Sequence, residues 1–195
     1  TETLGMALPG TAAIPAIHAD RLRAAEASGA QAVYLAQIDR DKQLTPKKII
    51  TPESVENALR ILLAVGGSTN AIIHLTAIAG RLGIPIPLQQ LNKLSDETPV
   101  LIDLKPTGDH YMEDLFKAGG LGVVLRELKP LLNLECLSVT GETLNERLQN
   151  EPAYVNREVV RSFDQPIQKM GGLVSLFGSL APGGAILKRS AADPA

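Results

Sequence analysis

The chain has 195 residues, 45% of them hydrophobic and 21% charged, with 19 Lys and Arg against 21 Asp and Glu for a net charge of -2. That balance excludes disordered and collagen-like chains and supplies the core of one large domain or two small ones. The charges are scattered without a basic stripe, which argues against a nucleic-acid partner, and the longest apolar runs, such as 71–79, fall far short of the ~20 residues of a membrane span.

Residues 1–16 carry Gly5, Pro9, Gly10 and Pro15 among small apolar residues and are expected to be irregular and tightly packed. From 19 to 39, Leu22, Ala25, Ala32, Val33, Leu35 and Ala36 recur on a helical stripe weakened by Gly29. Thr51 is placed to cap the next helix, with Pro52 and Glu53 in its first turn and an inward face of Val55, Ala58, Leu59, Leu62 and Leu63. A glycine turn at 65–70 interrupts the pattern, which resumes over 71–82 and is closed by Gly83. Pro85 and Pro87 lead into a short amphipathic piece with Leu88, Leu91 and Leu94, ended by Ser95, Asp96 and Glu97.

The run 99–104 reads as a strand ended by Lys105-Pro106-Thr107-Gly108. Short helices are expected at 111–117 and 122–128, separated by Gly119-Gly120, then a strand at 134–139 and a capped helix at 143–148. Beyond Gln149 the texture turns polar, until strands at 173–177 and 185–188 joined by Ala181-Pro182-Gly183-Gly184. The expected fold class is α/β: a helix-rich N-terminal part with a small parallel sheet over 1–150, a linker over 151–170, and the first strands of a β domain over 171–195. An isolated hairpin is marginal in water, so residues after about Arg161 are expected to lack partners and to be prone to disorder or aggregation.

Only 3% of residues are aromatic, with no Trp, so the core must be aliphatic and stacking platforms for bases or sugars are scarce. The single cysteine, Cys136, excludes an internal disulfide framework and any metal or iron-sulfur site built from several cysteines of this chain. It lies between Leu134 and Leu137 with no adjacent His or Lys to lower its pKa and reads as a core thiol. The chain begins at Thr1 without a basic-then-apolar leader and stops at Asp193-Pro194-Ala195 right after a strand-like run. Both ends are therefore expected to be cut.

Several groups are candidates for chemistry. Gly66-Gly67-Ser68-Thr69-Asn70 at a helix start would offer backbone amides and hydroxyls to a carboxylate or phosphate. No Lys follows the second glycine as a P-loop requires. The plainer reading is a capping hydroxyl and glycines that let two helices approach. His74, among Ile72, Ile73, Leu75 and Ile78, is expected to be a satisfied, partly buried side chain. His110 and Glu113, with Asp109 and Asp114 beside them, could hold a divalent metal or move protons, although acidic residues also suit a helix's first turn. Lys105 and Thr107 follow a strand end, where open α/β sheets bind ligands, unless the loop is a plain turn.

Four ordered stretches, 3–12, 66–75, 103–120 (carrying Lys105-Pro106-Thr107-Gly108, Tyr111-Met112-Glu113-Asp114-Leu115 and Ala118-Gly119-Gly120) and 178–185, together resemble the dihydroxy-acid dehydratase and phosphogluconate dehydratase family. The resemblance implies a hydro-lyase that converts a 2,3-dihydroxy carboxylic acid, a branched-chain or aldonic sugar acid, to the 2-keto acid. It also implies an iron-sulfur cluster held by three cysteines, a Mg2+ ion held by carboxylates and a carbamylated lysine, and a serine alkoxide that takes the C2 proton.

Carried over residue by residue, the cluster cysteines and the lysine would precede Thr1, and the serine and remaining magnesium carboxylate would follow Ala195. The resemblance therefore implies an internal fragment, inactive alone, that spans the second half of the N-terminal domain, the linker and the first strands of a β-barrel-like domain. It would contain no catalytic or metal residue. Ser68, Thr69, Asn70, Lys105, Thr107, His110 and Glu113 are left as candidates for the substrate-cleft edge. The complete protein is expected to be a cytoplasmic homo-oligomer acting on a small hydroxy acid. Over 156–188 the chain looks more like the sugar-acid dehydratases. A different-class alternative is a noncatalytic α/β domain that binds a small carboxylate at 66–70.

Overall fold

The structure, a computed structural model, describes residues 1–38, 43–151 and 153–192. Helices dominate it: α1 (Ala19–Gln37), α2 (Pro46–Ile49), α3 (Pro52–Ala64), α4 (Asn70–Arg81), α5 (Leu88–Glu97), α6 (Met112–Lys117), α7 (Gly120–Glu127) and α8 (Leu144–Gln149). Two strands follow, β1 (Leu173–Gly178) and β2 (Ala181–Lys188), paired antiparallel. Among the described residues no helix is long and apolar enough to cross a membrane.

Local chemistry explains most of the helix starts. Thr51 Oγ1 accepts from Ser54 N at 3.3 Å while Ser54 Oγ accepts from Thr51 N at 2.9 Å, with Pro52 at the first helical position of α3. Thr143 and Glu146 form the same reciprocal box on α8. Gly83, at φ +73°, ends α4, and the next N–H, of Ile84, reaches back to Ala79 O. The end expected for α1 at Asp39 lies outside the described residues.

α3 is the centre of the fold. Its expected apolar face is buried in one cluster with Leu4, Ile50, Ile72, Leu91, Leu94 and Leu173. Ala64, at its end, belongs to a second cluster around Leu101, Ile102, Val123 to Leu125, Leu128, Val159 and Val160. A helix ends with carbonyls that have no partner inside it. Here Leu62 O accepts from Gly67 N, Leu63 O from Gly66 N and Gly172 N, and Ala64 O from Leu101 N, all at 2.9 to 3.2 Å.

The strand expectations need correction. Residues 99–104 form single bridges, Val100 with Gln168, Ile102 with Val160 and Leu104 with His110. A turn closed by Gln165 N on Ser162 O splits the facing chain into two short pieces, so no continuous ladder develops. Residues 134–139 likewise give one bridge, Leu137 with Thr143, because Ser138 to Gly141 turn back at once. The parallel sheet is not found among the described residues, and two strands close no barrel. The sheet present is a hairpin, whose short connection permits only antiparallel pairing.

Ala181 to Gly184, expected to be the connection, lies within β2. Ala181 pairs with Gly178, which leaves Ser179 and Leu180 as the turn and a bulge between Leu176 and Gly178. Pro182 has no N–H to offer, which this edge strand tolerates. Nor is β1 left open on its other side. Asn92 of α5 donates to Ser175 O at 2.9 Å and accepts from Ser175 N at 2.6 Å, and Ser95 Oγ donates to Leu173 O at 2.7 Å. Within the expected linker, Val159 and Val160 are fully buried.

Gly172 packs so closely that a Cβ there would lie 2.6 Å from Gly66 Cα, a backbone atom that cannot turn aside. Gly172→Ala is expected to destabilise by about 1–3 kcal/mol. Gly178→Ala, which meets nothing within 4 Å, is expected to stay within about 0.5 kcal/mol of the parent. Thermal melts of both variants check the contrast.

Candidate functional site

A cavity of about 540 Å³ opens beside the end of α3, walled by Val65 to Thr69, Leu104 to Pro106, Ala12, Ala13, Met112, Leu115, Leu121 and Lys188. Each wall is held by the fold. Gly66, at φ +58°, turns the chain out of α3, and a Cβ on Gly67 would meet Leu62 Cδ1 at 2.4 Å. The positive φ thus favours glycine at 66, a side chain at 67 would make Leu62 shift, and both glycines line the cavity. Ser68 Oγ accepts from Asn70 N at 3.2 Å, whereas Thr69, the N-cap of α4, makes no side-chain cap bond.

The second wall is a loop wound on itself. Leu104 O accepts from Thr107 N at 3.2 Å and Gly108 N at 2.9 Å, and His110 O accepts from Lys105 N at 2.8 Å. The Lys105–Pro106 peptide is cis. Lys105 Nζ donates to Tyr111 Oη at 2.7 Å and stands 4.2 Å from the centre of that ring. The third wall depends on Glu2, a buried carboxylate that accepts from Gly10 N at 2.8 Å and Ala12 N at 2.6 Å and pairs with Arg147, so the loop presents Ala12 and Ala13 inward. Lys188 arrives at the end of β2, opposite Leu173.

No acidic residue is among the lining residues, while two lysines are. Their positive charge makes the site attractive to an anion, whereas the first amides of α4, those of Asn70, Ala71 and Ile72, are already bonded to Ser68 and Thr69, and the remaining wall is mostly apolar. The site can therefore hold a small organic acid by its charged end and shelter its hydrocarbon part from water.

Of the residues expected at the cleft edge, Ser68, Thr69 and Lys105 line the cavity. Thr107 lines an adjoining space of about 60 Å³ with Asp103, Gly108 and Gly66. Asn70, His110 and Glu113 are not among the lining residues. Asn70 is exposed at the start of α4, His110 Nδ1 faces Asp103 Oδ2 at 3.5 Å, and Glu113 pairs with Lys117 at 2.7 Å on the surface. Asp114 accepts from Tyr111 N at 2.8 Å as a cap, so this acidic group splits between separate tasks. His74 is exposed rather than partly buried. Sequence reasoning missed Lys188, because a lysine ending an apolar strand has no local signal, and Ala12, Ala13, Met112, Leu115 and Leu121, which read as ordinary core residues.

Residues 1–147 match the N-terminal part of the dihydroxy-acid/6-phosphogluconate dehydratase family, and residues 158–195 match its C-terminal part. The chain is 43% identical over 196 aligned positions to a dihydroxy-acid dehydratase of Acetivibrio thermocellus, which covers 100% of the chain and 34% of that protein. It is 45% identical to that of Caldicellulosiruptor bescii, covering 100% and 35%, and 45% identical to dihydroxy-acid dehydratase 2 of Corynebacterium efficiens, covering 98% and 34%. The chain thus spans about a third of the length of the curated relatives it matches.

Among the described residues no group of three or more His, Cys, Asp or Glu converges as a metal site. They do not fit the iron-sulfur cluster or the magnesium ion. Cys136 is half-buried beside a space of about 380 Å³ lined also by Lys48, Thr51 and Glu53. Burial pushes its thiol up to about 11, helped by the negative charges of Glu53, Glu135 and Glu56 and opposed by a hydrogen bond with Thr51. At pH 8 such a thiol holds roughly a hundredfold less thiolate than one at its ordinary 9.0. Alkylation of Cys136 by iodoacetamide is therefore expected to run about a hundredfold slower than in an unstructured peptide and to rise about tenfold per pH unit. Mass spectrometry between pH 7 and 10 checks it.

Proposed function

The chain belongs to the dihydroxy-acid/6-phosphogluconate dehydratase family, and we propose that the complete protein is a hydro-lyase acting on a 2,3-dihydroxy carboxylic acid. The C2 proton and the C3 hydroxyl leave together as water, and the resulting enol becomes the 2-keto acid. The observation that carries this chain's part in it is the meeting of both matched stretches at one cavity: Ser68, Thr69 and Lys105 come from the first and Lys188 from the second. We place the boundary between the two domains within 151–170, a stretch that overlaps the gap at 148–157 between the two matches.

The cavity binds and orients. Lys105 and Lys188 hold the substrate carboxylate as point charges, with Ser68 and Thr69 beside them. Val65, Leu104, Met112, Leu115 and Leu121 offer apolar surface to the rest of the acid. A polyhydroxylated chain buried against them would leave hydroxyls without partners, which costs free energy. This favours a branched aliphatic dihydroxy acid over an aldonic acid, in line with the relatives' names and against the sugar-acid likeness of 156–188. The iron-sulfur cluster and Mg2+ ion implied by the family belong to residues outside these 195, and no role is given to them at this cavity. A cytoplasmic homo-oligomer completes the proposal on the strength of the family alone.

The test is steady-state formation of 2-keto acid by the complete protein from a branched dihydroxy acid and from an aldonic acid. The branched acid is expected to have the higher kcat/KM. Lys105→Ala and Lys188→Ala are each expected to raise its KM about tenfold, the scale of one hydrogen bond to a charged group. No keto acid from either substrate would remove the reaction, and unchanged KM in both variants would remove the cavity's part in it.

A further inference from the structure

We propose that Asp103 is a positioning residue that sets Lys105 at the cavity mouth, an inference that rests on the reading of this cavity as the place where the acid's carboxylate is held. Asp103 is the next-to-last residue of the run 99–104 and its side chain is mostly buried. Oδ1 accepts from Asp109 N at 2.8 Å and Oδ2 stands 3.5 Å from His110 Nδ1, a nitrogen with no hydrogen-bond partner among the described residues. The carboxylate thus ties down Asp109 by a hydrogen bond and sits beside the imidazole of the next residue, His110, on the far side of the loop.

From there the constraint passes to Lys105 by two routes. His110 O accepts Lys105 N at 2.8 Å, which fixes the lysine's backbone, and the next residue, Tyr111, receives the Lys105 ammonium at 2.7 Å. Gly108 completes the arrangement. A Cβ there would lie 1.8 Å from Asp103 Oδ1 and 2.7 Å from Leu104 N, so the loop closes on the carboxylate only with glycine at this position. None of these three groups, Asp103, Gly108 or His110, lines the main cavity itself. Asp103 therefore acts through Lys105 and affects how firmly the acid is held, not the bonds that break.

The experiment uses the complete protein with a branched dihydroxy acid and compares Asp103→Ala, Asp103→Asn, Gly108→Ala, Lys105→Ala and the Asp103→Ala/Lys105→Ala pair. Asp103→Ala is expected to raise KM about tenfold while kcat stays within about twofold, the pattern of a lost binding contact. Asp103→Asn, which keeps an oxygen for the Asp109 N–H, falls between it and the parent and serves if the alanine variant does not fold. Gly108→Ala, which displaces the carboxylate while leaving Asp103 in place, reproduces the rise. The double variant is no worse than Lys105→Ala, because both changes remove one effect. Acylation of Lys105 by an amine-reactive ester, read by mass spectrometry without turnover, is faster in the Asp103 variants. Additive losses in the double variant, or a parental KM and acylation rate in Asp103→Ala beside an impaired Lys105→Ala, would overturn the inference. A parental KM in Lys105→Ala removes the reading of the cavity, and the role of Asp103 falls with it.

Discussion

The end of α3 holds the rest of the molecule in register. A helix buried on most of its surface must find outside partners for its last carbonyls, since each one left unpaired in an apolar core costs on the order of 1–3 kcal/mol. Those partners come from the glycine turn that follows at once and from two distant places, the run through Leu101 and Gly172 just before β1. Because the acceptors sit within one helical turn, the four donors are brought together, and the backbones of Gly66 and Gly172 come close, leaving no room for a Cβ on Gly172. The cavity wall at 65–69 and the strand that delivers Lys188 are consequences of that convergence.

Buried polar side chains extend the same logic outward. Asn57 donates to Asn133 O and accepts from Asn133 N, which pins the loop before Cys136 to α3. Asn92 does the same for Ser175 and stands in for a strand on the open side of β1. Arg60, buried beside Glu56, Glu97 and Thr98, ties α3 to the end of α5. In a core with few aromatic residues, where large flat side chains are scarce as wedges, such amide and guanidinium clamps specify which segment lies against which.

The candidate site follows from these clamps rather than from any single motif. Its loops are too short to shape themselves, and each is closed by a carboxylate: Glu2 for 10–13 and Asp103 for 104–110. Neither Glu2 nor Asp103 is among the residues lining the cavity, which leaves the two lysines to set its charge. A wall that is apolar with lysines among its lining residues suits a small carboxylic acid with a hydrocarbon body, which is the basis of the proposed binding role.

Thr51, Pro52, Gly83 and Thr143 marked helix ends in the sequence alone, because caps and turns are made with neighbours one to five residues away. The spacing of Val55, Ala58, Leu59, Leu62 and Leu63 likewise told which face of α3 is buried, and the glycine turn and Lys105, which line the cavity, drew notice in the sequence from their place at the ends of elements. Tertiary structure decided the remainder. Whether 99–104 builds a ladder depends on a facing chain some sixty residues on that turns away halfway along. The start of β2 at Ala181 depends on how the hairpin twists. Lys188 joins Lys105 only because β1 is anchored through Gly172 to α3. Periodicity is a property of one segment, whereas the meeting of two lysines needs the packing of both cores, and no local pattern in the chain encodes it.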